Sequence, residues 1–223
     1  MAGGGSFLSL SAMIWLGLPA DVANATNRVG VLVQSVAAAA AFQRRGVEVS
    51  EPLWPTAAAV CLGATAGAGL SVILPPELFE RLLAATMLVM LGVTLLRPRS
   101  WLEPGEARRS RWPALVAAGA YGGFLQAGVG VLLLAVLVLL GGLEPVRANA
   151  RKVALVALLT LPALAIYVAW GLVDWPAGAL LAVGSAVGGA LGSRLTVGAG
   201  AWLVWGAVGV VVVATATRLF MTG

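Results

Sequence analysis

Apolar residues occur along the chain in helix-length blocks, which are separated by short stretches rich in glycine, proline and charged residues. A helical block of about 20 apolar residues is long enough to cross roughly 30 Å of hydrocarbon. The pattern therefore predicts an all-α polytopic membrane protein. The predicted spans are Val22–Phe42, Leu53–Leu74, Leu78–Leu96, Val146–Trp170, Trp175–Leu195 and Ala199–Phe220.

Two apolar runs, Ser6–Leu18 and Val129–Leu140, are too short to span in the ordinary way. Each accompanies a glycine cluster, Gly3-Gly4-Gly5 in the first half and Gly128-Val129-Gly130 in the second. An interrupted helix is tolerated at membrane depth only where protein or a cavity surrounds the freed backbone. We therefore expect functional residues near both breaks.

The same arrangement recurs after a shift of 125 residues. The anchors Gly17, Asn24, Gly46, Gly63 and Gly67 recur as Gly142, Asn149, Gly171, Gly188 and Gly192. This predicts two homologous repeats, residues 1–96 and 112–223, joined by a linker at 97–111, each with a glycine-broken short helix and three spanning helices. The counterpart of Trp112–Leu125 would precede Met1, so either the start codon lies further upstream, which is the favoured expectation, or the first repeat lacks its N-terminal helix. Parallel and inverted repeats both remain open.

Arginines of the central linker set the expected orientation. Five of them lie between Arg97 and Arg111, against two glutamates, so the positive-inside rule predicts a cytoplasmic linker. The segment Trp112–Gly142 has two solutions, a single crossing or a re-entrant hairpin. The hairpin leaves more of the later basic residues inside and is favoured by the same rule.

Composition agrees with a lipid environment. Hydrophobic residues make up 60% of the 223 and charged residues 10%, against about 25% charged in soluble domains. A single cysteine, Cys61, and the absence of histidine argue against an internal disulfide and the usual metal sites. No nucleophile–base pair is recognisable either. The sequence therefore predicts no enzyme, no cofactor and no metal.

Polar residues at the start of the helix after each break are the candidate site. Amides and hydroxyls can donate to oxyanions, cations add charge, and the short helices would direct their N-terminal NH groups to the same region. The nine carboxylates all lie in loops or at span ends. Asparagines in such positions can instead bond between helices, which leaves a structural role open. The predicted substrate-binding residues are Gly4, Gly5, Ser6, Asn24, Thr26, Asn27, Arg28, Gly128, Gly130, Asn149, Arg151 and Lys152.

Several of these segments resemble the sulfite exporter TauE/SafE family. The resemblance covers almost the whole chain and is carried by the runs Ala2–Leu8, Gly17–Asn27, Arg45–Val49, Gly122–Gly130 and Gly171–Trp175. It implies an inner-membrane permease of about eight helices for sulfite, sulfonates or other small organic anions. The chain departs from the family pattern in lacking the usual first helix.

The leading hypothesis is a multi-pass permease in the inner (plasma) membrane that moves a small anion, with sulfite or an organosulfonate as the expected substrate. An anion channel and a non-transporting membrane scaffold are the alternatives. The expected partners are the anion and the lipid bilayer, without nucleic acid. Homo-oligomer formation is left open.

Overall fold

The described part of the chain is entirely helical, as predicted. A computed structural model describes residues 5–47, 52–96, 103–104, 111–195 and 201–222, without the side chains of 187–195, 201–205, 207 and 222. These residues form nine α-helices and no strand. They are α1 (Gly5–Trp15), α2 (Ala20–Arg44), α3 (Leu53–Ile73), α4 (Pro76–Leu96), α5 (Arg111–Phe124), α6 (Val129–Ala135), α7 (Pro145–Ala169), α8 (Trp175–Leu195) and α9 (Ala201–Thr222).

Three helices in the described ranges, α3, α4 and α7, are both long enough and apolar enough to cross a membrane. Shorter apolar stretches occupy α1, the α6 region, the first half of α8 and most of α9. Helix α2 has 25 residues, but its polar run from Asn24 to Arg28 dilutes its apolar character. The membrane character predicted from the sequence is therefore clearest in these three helices.

The segment that begins at α5 folds back on itself as a hairpin. A π-helix, Val136–Leu140, continues α6, and its end returns to the start of α5. Arg111 and Leu115 of α5 line one small pocket together with Leu137 and Gly141. The two ends of the α5–α6 segment are thus neighbours, which is the arrangement of the hairpin favoured from the sequence, while the way the segment lies in the membrane stays a prediction.

Helices α2 and α7 pack against each other in opposite directions. Tyr167, near the end of α7, bonds to Asn24 and Arg28, near the start of α2. Lys152, near the start of α7, shares a cavity with Ser35 in the later half of α2. Two segments that occupy equivalent places in the proposed repeats therefore run antiparallel.

Helix positions follow the offset seen in the sequence. Helix α7 begins and ends 125 residues after α2 does, and α9 begins 125 residues after α4. The glycines after α1 and α2, Gly17 and Gly46, have φ of 99° and 70°, and their counterparts Gly142 and Gly171 have 66° and 68°. These regularities agree with a duplicated unit, although the division into repeats remains a prediction.

Glycines bring α3 and α5 into backbone contact, the most extensive helix pairing of the bundle. A Cβ at Gly67 of α3 would overlap the carbonyl group of Ala120, and one at Gly123 of α5 would overlap that of Ala64. Gly63 and Gly119 are equally close to the opposing backbone. Because α3 belongs to the first half of the chain and α5 to the second, this small-residue contact packs the two halves together.

We expect Gly67→Ala to destabilise the protein, because the added methyl group meets backbone atoms that cannot rotate away. Overpacking of this kind costs about 1–3 kcal/mol. The matched control is Gly69→Ala on the same helix, where a Cβ has open space around it. Thermal unfolding in detergent should show a lower midpoint for Gly67→Ala alone. Equal midpoints for the two variants would contradict a backbone-to-backbone contact.

Candidate functional site

Helix α5 ends at Phe124 inside the bundle, where its last carbonyl groups need donors other than water. The NH of Leu125 bonds to the carbonyl of Tyr121 at 2.7 Å. Arg28 donates to the carbonyls of Gly122 and Gly123. The carbonyl of Phe124 accepts a hydrogen bond from the amide nitrogen Nδ2 of Asn24 at 2.9 Å. Side chains from α2 therefore complete the end of a helix in the other half of the chain.

Arg28 is the centre of this arrangement. Its side chain is fully buried, and the two terminal nitrogens donate to Gly122, Gly123, Gln126 and the hydroxyl of Tyr167. The guanidinium carbon also lies 4.6 Å from the ring centre of Tyr167. A cation is stabilised at a helix C-terminus, where the backbone dipoles place partial negative charge. The structure thus places Arg28 as a cap of α5.

Tyr167 belongs to the same cap. Its hydroxyl lies within hydrogen-bonding distance of the carbonyls of Gly123 and Phe124, of the amide of Asn24 and of the hydroxyl of Ser71. Helices α2, α3 and α7 therefore meet at the broken end of α5. Asn24 and Arg28, both expected at the substrate, instead form hydrogen bonds with this scaffold.

The remaining polar residues at the start of α2 also contact neighbouring helices. The hydroxyl of Thr26 accepts the backbone NH of Asp174, at the start of α8, at 3.0 Å. The amide oxygen of Asn27 accepts the hydroxyl of Ser9 in α1 at 2.6 Å. These two residues connect α2 to α8 and to α1.

A central cavity of about 110 Å³ lies between α1, α2, α6 and α7. Of the predicted residues, Ser6, Gly130 and Lys152 line it. Gln34 and Ser35, further along α2, contribute an amide and a hydroxyl. The apolar part of the lining comes from Val31, Ala38, Val129, Val153 and Val156. Among the described residues that line it there is no carboxylate. The first turns of the short helices α1 and α6 meet here, at Ser6 and Gly130.

Lys152 is the cation of this cavity and the single lysine of the chain. It is 4% exposed, and its ammonium group donates to the amide oxygen of Asn149 at 2.5 Å. Asn149 precedes it by one turn of α7, so the amide steadies the ammonium group. Both residues were predicted from the sequence. The structure places Asn149 next to Lys152, and Lys152 lines the cavity.

Arg151 points to a different place from its neighbour Lys152. One terminal nitrogen donates to the carbonyl of Pro52 and to the hydroxyl of Thr56, both at 2.9 Å. It lines the small pocket that also contains Arg111. Consecutive residues of a helix face directions about 100° apart, which is why the pair divides between two sites.

The glycines have different roles at the two breaks. Gly128 precedes α6 with a φ of 84°, a left-handed conformation that favours glycine. A Cβ there would also lie 3.0 Å from Phe7 and 3.1 Å from Met90. Gly5 is exposed at the start of α1. Gly4 lies outside the described residues.

One lining residue, Gln126, was missed by the sequence reasoning. It lies between α5 and α6 and is 1% exposed. The available signal was a long polar side chain inside the glycine-rich run Gly122–Gly130. The prediction rested on the helix that follows each break, whereas Gln126 lies in the break itself.

Arg28→Lys is expected to destabilise the protein although it keeps the positive charge. A lysine has no planar fork to serve two successive carbonyls, and one unsatisfied buried group costs about 1–3 kcal/mol. Arg44→Lys, at the exposed end of the same helix, is the control. A thermal midpoint that falls only for Arg28→Lys is the expected result. Equal midpoints would show that Arg28 stabilises the protein through its charge alone and not through the geometry of its hydrogen bonds.

Comparison with known proteins agrees with this membrane architecture. Over residues 1–219 the chain matches the family model described as sulfite exporter TauE/SafE. It is 27% identical over 224 residues to a probable membrane transporter protein, ORF9, of Sinorhizobium sp., covering 98% of this chain and 85% of that protein.

Other relatives carry similar names. The chain is 28% identical over 208 residues to the probable membrane transporter protein YfcA of Escherichia coli K12, covering 92% of this chain and 77% of the relative. It is 25% identical over 208 residues to a probable membrane transporter protein of Haemophilus influenzae, covering 92% and 82%. No solved structure matches. The chain belongs to the sulfite exporter TauE/SafE family of membrane transporters.

Proposed function

We propose that this transporter carries a small oxyanion, with sulfite or an organosulfonate as the preferred class, through the central cavity. The observation that carries the proposal is the placement of the single lysine, Lys152, in the lining of that cavity. Amide and hydroxyl groups from Gln34, Ser35 and Ser6 surround the same space. These groups can donate hydrogen bonds to an oxyanion, whose charge the ammonium group balances.

The lining also disfavours cations. A carboxylate would attract a metal ion or an amine, but in the described part of the chain none lines the cavity. The cavity is bounded mostly by valines and alanines outside its polar groups. A low-dielectric wall strengthens the attraction between the ammonium group and an anion that enters.

The arrangement of charged residues supports a location in the inner (plasma) membrane with a cytoplasmic linker. Arg44, Arg45, Arg111 and Arg147 lie at the end of the bundle that the linker joins. Arg218 lies at the opposite end, where it donates to the carbonyl of Ile14. An excess of arginine on one side is the usual signal for the cytoplasmic face.

The antiparallel pairing of α2 and α7 supports inverted repeats if the two halves are a duplication. Transporters built in this way place the substrate where the halves meet, next to discontinuous helices. The central cavity has both features, because α1, α2, α6 and α7 all line it. Alternating exposure of this cavity to the two sides is the mechanism we propose.

Lys152→Met should weaken sulfite binding by at least about tenfold, since hydrogen bonds to charged groups contribute about 1.5–3 kcal/mol. Binding is measured as the ligand-dependent rise in thermal midpoint of the detergent-purified protein, where sulfite at 100 times its dissociation constant adds about 2.7 kcal/mol. Lys152→Arg keeps the charge and should retain part of the shift.

The matched control is Arg147→Met, which removes one positive charge from an exposed position on the same helix. It should bind sulfite as the unmodified protein does. The same measurement with taurine, sulfoacetate, sulfate and chloride separates sulfite from the sulfonates. A folded protein whose midpoint none of these anions shifts would refute the proposal, as would an undiminished shift in Lys152→Met.

A further inference from the structure

Gln126 occupies the position where the cap of α5 and the central cavity meet. Its side chain bonds to Arg28, and the same residue lines the cavity with Lys152. It lies in the break between α5 and α6, with only 1% of its surface exposed. A single side chain therefore belongs to both the scaffold and the cavity wall.

The hydrogen bonds fix the orientation of the Gln126 amide, that is, which side carries the oxygen and which the nitrogen. A guanidinium group can only donate, so the atom that meets Arg28 at 2.7 Å is the oxygen Oε1. The nitrogen Nε2 therefore lies on the other side, 2.9 Å from the hydroxyl of Thr160. That hydroxyl donates to the carbonyl of Val156 at 2.6 Å, so it must accept from Gln126.

One hydrogen of the amide nitrogen is left over. The NH₂ group has two donors, and Thr160 accepts one of them. Within the described part of the chain no acceptor is found for the second. Since Gln126 lines the cavity, an anion held there is the acceptor that its position offers.

We propose that Gln126 is a substrate-contacting residue that donates this second N–H to the bound oxyanion, and that Arg28 is its positioning residue. Arg28 holds the amide oxygen away from the anion, so that the cavity presents a donor and not an acceptor. The inference rests on the proposed function, because it places the anion in the same cavity as Lys152.

The arrangement makes Gln126 a determinant of specificity. An oxyanion has several oxygen atoms and can accept from the ammonium group of Lys152 and the amide of Gln126 at once. A chloride ion is a single centre that Lys152 can satisfy by charge alone. Loss of the Gln126 donor should therefore weaken sulfite more than chloride.

Two substitutions of similar size test this. Gln126→Glu keeps an oxygen for Arg28 but replaces the donor by negative charge, so sulfite should bind at least about tenfold more weakly. Gln126→Met removes the donor without adding charge and should weaken sulfite about tenfold, with a smaller effect on chloride. Gln43→Glu, which adds the same charge at an exposed position of α2, should bind both ions normally.

The outcomes separate this proposal from the proposed function. Sulfite binding lost in Lys152→Met but undiminished in a folded Gln126→Glu would overturn the role of Gln126 and leave the function intact. Failure of the unmodified protein to bind any anion would overturn both. Retained sulfite preference over chloride in Gln126→Met would also contradict the proposal.

A third variant covers the case in which the changes at Gln126 prevent folding. Thr160→Val removes only the hydroxyl that accepts from the amide and leaves the bonds of Arg28 to the end of α5 in place. The amide nitrogen of Gln126 then loses its hydrogen bond to Thr160. Sulfite affinity should fall severalfold, while chloride affinity changes less. Unchanged sulfite affinity in this variant would show that Gln126 belongs to the scaffold and does not contact the anion.

Discussion

The interior end of α5 is the constraint on which the rest of the structure depends. Carbonyl groups that end a helix away from water must find donors, because each unsatisfied buried group costs about 1–3 kcal/mol. Arg28 and Asn24 of α2 and Tyr167 of α7 supply them. Meeting this demand brings both central helices to the tip of the α5–α6 hairpin, and the cavity lies beside the same tip.

The fold could be predicted well from the sequence. Apolar blocks and glycine clusters predicted most of the helices, including the two short ones, because length and hydropathy are local properties that lipid constrains strongly. The boundaries of α7 lie within one residue of the span predicted as Val146–Trp170. The expected family is confirmed by the match over residues 1–219.

The site could be predicted only in part. Lys152 and Ser6 line the cavity, whereas Asn24 and Arg28 bond to the backbone of α5. A sequence shows that a polar residue is costly in an apolar helix, but not whether a ligand or a distant carbonyl meets that cost. Which of the two applies depends on the packing of α2 against a hairpin about 100 positions away in the chain. Gln126 was missed because it lies in the break between α5 and α6, where only the folded structure brings its side chain to Arg28 and to the cavity.

The glycine contact between α3 and α5 has a consequence for how the molecule can move. Backbones that touch at Gly67 and Gly123 cannot slide past one another without separating, so α3 travels with the hairpin of the other half. The body that moves as one therefore does not coincide with a predicted repeat. A motion that exposes the cavity alternately to the two sides, as proposed above, must carry α3 and the α5–α6 hairpin together.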